Sequence, residues 1–523
     1  MKPTSLRDKL AQLLFVRIGS NMQPPRTVEE DAAAIEALLE TCPIGGLIMF
    51  NGTPETRYAL RHLQQQSQYP LLITMDMERG VGQQIRGETL FPHAMAFDEV
   101  NDPEAAVERF ARIGAREALA NGVHVTFSPV ADVNSDPRNP IISTRAFGTD
   151  PERVARLVKA YVRGCQKEGL LSTAKHFPGH GNTHQDTHSE LPTVDSPREE
   201  LDRVDLVPFQ AAIDAGVELI MTAHIVFPAL DPAGRPATLS PPILQKLIRE
   251  EMGFSGAVIS DSLLMAGIRD RYADPGEMAV DVLAAGVDIL LDVPDAPHVL
   301  NVMEQAVAKG DLSEARVDEA FERVWALKEK MSERFGKAFF SDFIDRDASD
   351  DSAQAFAYQV AREAITWPRG KPEAFPELAS SGNGVQGATN FTVLLIKPNE
   401  NHLDPPQQPL GNALQARFPE VNYIEITPST TLAQREEAQR QALAARHLVV
   451  AMIVKPAAWH RFGLRPEQEE LVRVLLATRP LLLASLGVPY VLDQFPEATA
   501  ACCTYSDVAP SQDALAEALA DLM

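Results

Sequence analysis

The chain is expected to be an α/β protein, a (β/α)8 barrel followed by a smaller α/β layer domain. Up to about residue 335, eight short apolar runs, often β-branched, alternate with helical patterns, as parallel α/β architectures do. Eight β/α units in that length fit a closed barrel with insertions. The first run leads into GSNMQPPRT with no GxGxxG, so the Gly-rich loop that usually marks an open doubly wound sheet is missing.

Taken in order, the N-terminus MKPTSLRDKLAQLLFVRIGS spaces its leucines as a helix entering a core and has no uninterrupted apolar stretch of signal-peptide type. A cytoplasmic location is the expectation. The eight runs are Leu13–Ile18, Gly46–Phe50, Leu71–Met75, His124–Pro129, Leu171–Lys175, Glu218–Ala223, Ala257–Ser260 and Val287–Leu291. After Glu333 the pattern changes to GKAFFSDFIDRDASDD, irregular and ending in an acidic cluster. The barrel is therefore assigned to 1–335, a linker to 336–348 and a second domain to 349–523. That domain opens with a helical pattern at Ser352–Ile365 and a Pro/Gly/Ser-rich stretch to Asn390. Apolar runs follow at Thr392–Ile396, Tyr423–Ile426, Leu448–Val454 and Leu481–Leu486, alternating with helical segments.

Composition narrows the partners. At 523 residues the chain exceeds one ordinary core, and 45% hydrophobic with 23% charged residues suits packed globular units. Lys+Arg 48 against Asp+Glu 72 gives a net charge of −24, which repels nucleic acid and disfavours anionic membrane surfaces. No apolar run approaches the roughly 18–20 residues that span a bilayer. Cys42, Cys165, Cys502 and Cys503 form neither a disulfide framework nor a metal-ligand spacing, and read as buried thiols.

In a barrel, polar residues that follow the strands converge on one mouth. The third run ends in Asp76, with Glu78 two residues on. The fourth leads to Asp132, Asn134 and a long loop holding Arg145. Lys175 and His176 end the fifth run, His224 the sixth, Asp261 the seventh and Asp292 the eighth. Carboxylates and cations so arranged hold several hydroxyl groups through charge-assisted hydrogen bonds, which suits a polyol substrate.

The densest segment is KHFPGHGNTHQDTHSELP, with histidines at 176, 180, 184 and 188. Four-residue spacing invites a zinc site on a helix, but Pro178, Gly179 and Gly181 break the helix that would align them. No metal is assigned. A long polar loop with glycine hinges reads better as a segment closing over substrate. Asp186 and His188, one residue apart, form a pair able to shuttle a proton near neutral pH.

KHFPGHG followed by DTH, with SPVADVNSDPRNPIISTRAFGTDP upstream and VISDSLLM downstream, resembles the β-N-acetylglucosaminidases of glycoside hydrolase family 3. The resemblance covers residues 5 to 335 strongly, and the remainder resembles the αβα sandwich of two-domain members. It implies Asp261 as nucleophile, His188 as acid/base with Asp186 as its partner, and Asp76, Arg145, Lys175 and His176 around the terminal sugar. His224 is added from its place at the mouth. In DMERGVGQQIRG the arginine usual eight positions after the aspartate is Gln84, and Arg86 is a possible substitute.

Such residues imply retaining hydrolysis of a terminal β-linked N-acetylglucosamine from a small carbohydrate, without cofactor, by attack of Asp261 while His188 protonates the leaving oxygen. Peptidoglycan-derived saccharides or muropeptides are the implied source. A neutral acid/base does not repel an anionic acceptor, so a β-N-acetylglucosaminide phosphorylase stays open. So do a family 3 β-glucosidase and a non-catalytic sugar-binding protein.

Overall fold

The computed structural model describes residues 2–183, 191–336, 338–341, 351–370, 391–400, 405, 407–456 and 462–522. All eight expected runs form strands: β1 Leu14–Ile18, β2 Gly46–Met49, β3 Leu72–Met75, β4 Val125–Thr126, β5 Leu171–Phe177, β6 Leu219–Thr222, β7 Ala257–Ile259 and β8 Leu290–Leu291. They form one parallel sheet in the order β7-β6-β5-β4-β3-β2-β1-β8. A parallel bridge between Ile259 and Ile289 closes it, Ser260 N donating to Ile289 O at 3.0 Å. Seven of the strands are buried at every residue; β1 is the exception. Burial on both faces is why most of these runs are apolar without alternation; β5, LSTAKHF, is the polar exception.

Helices follow each strand, and their ends are encoded locally. Val28–Leu39 starts with a capping box between Thr27 and Glu30. Pro151–Glu168 starts on Asp150, whose side chain accepts from Arg153 N, carries Pro at its first turn, and stops at Gly169 with φ +93°. At the strands' N-terminal ends the barrel is sealed by buried polar anchors. Arg249, Arg316 and Arg323 converge on the fully buried Asp288, and buried Lys328 donates to Gln12 Oε1. Buried His124 accepts from Ile73 N at 3.1 Å, and burial with the nearby Lys328 lowers its pKa to about 3.

A second sheet comprises β9 Thr366–Arg369, β10 Phe391–Ile396, β11 Asn422–Ile426, β12 His447–Met452, β13 Leu482–Ser485 and β14 Ala500–Cys503, ordered β11-β10-β12-β13-β14-β9. All pairings are parallel except that of β14 with β9. Its core packs Phe391, Val393, Leu395, Val449, Leu482 and Cys502 against Leu410, Leu414, Leu515 and Leu519 from flanking helices. Two strands escape the sequence reading. β9 is an edge strand containing Pro368, tolerated there because an edge N–H needs no ladder partner. β14 is built from the small residues AACC, and both of its cysteines are buried free thiols.

Contacts divide the chain into two units. The first takes 1–89, 104–139 and 146–351; the second takes 90–103, 140–145 and 352–523. Two short excursions from the barrel's sequence thus belong with the second sheet. Within that unit His93 Nδ1 lies 2.7 Å from Ser506 Oγ, the Phe91 ring meets Phe356 edge-on at 6.0 Å, and Asn101 Nδ2 donates to Glu363. Among the described residues no helix is long and apolar enough to cross a membrane.

Candidate active site

The C-terminal ends of the barrel strands gather two clusters of polar side chains. The first is centred on Lys175, in the second half of β5. Its ammonium, 3% exposed, lies 2.6 Å from Asp76 Oδ1 and 2.7 Å from Glu78 Oε1, both just after β3. Two carboxylates around one buried lysine fix all three side chains. Asp76, a quarter exposed, retains access to solvent.

His176, the next residue, turns to Asp132 at the end of the fourth unit. Asp132 is fully buried and its oxygens accept from His176 N at 3.2 Å, His180 N at 2.7 Å and the His176 ring at 2.8 Å. With its Nδ1 side held by a carboxylate, the imidazole has a set orientation. Asp132, placed at the mouth by the strand-end tally, is thus an anchor beneath the mouth.

The loop after β5 corrects the glycine-hinge expectation. Gly181 passes so close to the preceding loop that a Cβ there would stand 1.6 Å from Val133 O, and one at Gly179 would stand 2.7 Å from Asp205 Cβ. Close approach, not hinge freedom, requires these glycines. Asn139 Nδ2 donates to the carbonyls of His180 and Gly181, and His180 Nδ1 pairs with Thr183 Oγ1 at 2.9 Å. Beneath Gly179 the Asp205 carboxyl is 2% exposed and its Oδ1 has no hydrogen-bond partner among the described residues. Burial, with the charges of Asp132 and Glu200, raises its pKa to about 7. Asp186 and His188 lie outside the described residues.

The second cluster surrounds Asp261, just after β7. Ser262 N donates to Asp261 Oδ1 at 2.7 Å. His224, after β6 and 1% exposed, stands with Nε2 3.1 Å from Ser262 O and Nδ1 2.8 Å from Thr238 Oγ1. A carbonyl only accepts, so Nε2 carries the proton. Asp292, after β8, accepts from Ser262 Oγ at 2.6 Å and from both Nε and Nη2 of Arg17 on β1.

Gln84 follows β3 and is 8% exposed; its Oε1 accepts from Asn21 Nδ2 at 3.0 Å and its carbonyl accepts from Gly52 N. Arg86 is exposed. Arg145 belongs to the second unit, where its Nη1 donates to Ile141 O at 2.9 Å. The structure therefore gathers Asp76 with Lys175, turns His176 to Asp132, and links His224 to Asp261 through Ser262. Sequence reasoning missed Arg17 and Ser262. A charged residue near the end of an otherwise apolar first strand was the available signal for Arg17.

Residues 5–327 match the model of the glycosyl hydrolase family 3 N-terminal domain. The chain is 33% identical over 330 residues to Beta-hexosaminidase A of Pseudoalteromonas piscicida, covering 57% of this chain and 55% of that protein. It is 32% identical over 361 residues to Beta-N-acetylglucosaminidase/beta-glucosidase of Cellulomonas fimi, covering 67% and 64% respectively. The chain thus spans under two thirds of each of these relatives. Among solved structures, a glycoside hydrolase family 3 beta-N-acetylglucosaminidase from Paenibacillus sp. str. FPU-7 superposes with a TM-score of 0.85 at 30% identity, covering 100% of this chain and 97% of that one. With a parallel barrel, strand-end carboxylates and a family match over more than half its length, the chain belongs to glycoside hydrolase family 3.

Proposed function

We propose that the protein is a retaining exo-β-N-acetylglucosaminidase. The observation that carries this reading is the presence, at one end of one barrel, of both a carboxylate just after β7 (Asp261) and a cluster of Lys175 on β5 with Asp76 and Glu78 just after β3. The first suits attack on an anomeric carbon and the second suits a sugar's hydroxyls. The likeness to the Paenibacillus enzyme along the whole chain supports the sugar's identity.

Asp261 attacks the anomeric carbon while His188, paired with Asp186, protonates the leaving oxygen. His188 then deprotonates a water that cleaves the glycosyl-enzyme, so configuration is retained. Asp76, Lys175, His176 and Gln84 hold the sugar, with His224 bordering them. The nucleophile of the first step and the acid/base of both are side chains of the protein, and water is the acceptor in the second. Peptidoglycan-derived saccharides or muropeptides in the cytoplasm are the proposed natural setting, supported by the KHFPGHG and DTH resemblance.

Purified protein with a chelator is expected to release nitrophenol from 4-nitrophenyl N-acetyl-β-glucosaminide, and Asp261→Ala is expected to release none. Silence from folded wild type would end the reading. Because the Cellulomonas relative's name couples two activities, the aryl β-glucoside is run alongside; faster cleavage of that substrate would move the assignment to a glucosidase. Added inorganic phosphate separates hydrolysis from phosphorolysis by the appearance of a sugar 1-phosphate. His188→Ala should slow substrates with poor leaving groups far more than aryl glycosides, since only the former need protonation.

A further inference from the structure

Ser262, the residue after Asp261, is held at every polar atom it has. Its N–H donates to Asp261 Oδ1 at 2.7 Å, and its hydroxyl donates to Asp292 Oδ2 at 2.6 Å while accepting from Leu264 N at 3.3 Å. Its carbonyl accepts from His224 Nε2 and from Met265 N, each at 3.1 Å. Asp292 is 1% exposed and adopts φ +63°, a left-handed conformation that is costly for a residue with a side chain. Its carboxylate is gripped by the Arg17 guanidinium on β1. Four strand ends, β1, β6, β7 and β8, thus converge on a residue that carries no chemistry of its own.

We propose that Ser262 is the positioning residue for the nucleophile, and that the Arg17–Asp292 ion pair is the fixed point from which it is set. This rests on the reading of Asp261 as nucleophile. Attack needs the carboxylate oxygen held within about 0.5 Å and 10–20° of its line of approach. The Ser262 N–H fixes one Asp261 oxygen, and that N–H is fixed in turn by the serine's hydroxyl and carbonyl. Removing the hydroxyl leaves the donor to Asp261 in place but frees its direction.

The test uses the full chain as Ser262→Ala, Ser262→Thr and Asp292→Asn. Turnover of the aryl N-acetyl-β-glucosaminide is measured together with the rate of inactivation by a slow fluorinated N-acetylglucosaminyl fluoride, the labelled residue being identified by mass. For Ser262→Ala, kcat and the inactivation rate are expected to fall roughly 10- to 100-fold with KM within about twofold. Threonine, which restores the hydroxyl, should recover most of the loss. Asp292→Asn should fall between the two, and it decides the matter if the alanine variant does not fold. Wild-type inactivation rates in both Ser262→Ala and Asp292→Asn, or a loss that threonine does not repair in folded protein, would overturn the positioning role. A wild-type label on a residue other than Asp261 would instead sink the nucleophile reading, so the two failures are told apart.

Discussion

A buried ammonium between two carboxylates, as at Lys175, is held by its neighbours and holds them in turn. Lys175→Met should leave Asp76 and Glu78 facing each other without a cation, and breaking such a partly buried cluster costs roughly 3 kcal/mol or more. A shifted denaturation midpoint together with lost substrate binding is the expected result; unchanged stability would mean that solvent screens the pair. Asp205 makes the opposite case, a carboxyl with a raised pKa of about 7. A carboxyl that binds its proton more tightly when folded takes stability away as pH rises from its unfolded value near 4, and the loss is complete above 7. Asp205→Asn carries no such loss. Its thermal midpoint should therefore gain on wild type steadily between pH 4 and 7 and hold that lead above.

Among the elements, the loop after β5 shows which glycines matter. Gly181→Ala must push a backbone carbonyl aside and should cost at least about 2 kcal/mol and most of the activity. Gly234→Ala, at φ +69° with open space around it, should cost about 1 kcal/mol and no activity. Melting curves and aryl-glycoside turnover of the two variants measure the contrast. Nothing in KHFPGHG separates a hinge glycine from one pressed against Val133. The strands were legible because each is a short apolar run between polar turns, and strand ends pointed to Asp76, Lys175 and Asp261 directly. The role of Asp132 was not legible, because two of its donors are backbone N–H groups 44 and 48 positions away, which no side-chain pattern encodes. The Arg17–Asp292 pair, 275 positions apart, was hidden in the same way until the barrel closed.

At the scale of the molecule, buried titrating groups pull in different directions. His124, held near 3, favours the fold only while the unfolded chain's histidine is also neutral, so its contribution is lost as pH falls from about 6.5 toward 3. His124→Asn should thus be less stable than wild type at pH 7 and close that gap on acidification, whereas the Asp205→Asn gap opens as pH rises. Thermal midpoints at pH 4, 5.5 and 7 separate the two; parallel curves would rule out both groups as sources of pH-dependent stability. The second unit's membership in residues 90–103 and 140–145 bears on how the protein is made. Those segments emerge from the ribosome some two hundred residues or more before residues 352–523, which supply the rest of their unit. Phe91 and His93 have their partners in Phe356 and Ser506, so a nascent chain holding only the barrel carries unsatisfied apolar surface. Maturation is therefore a question of timing, in which the last third of the polypeptide completes a structure begun within the first.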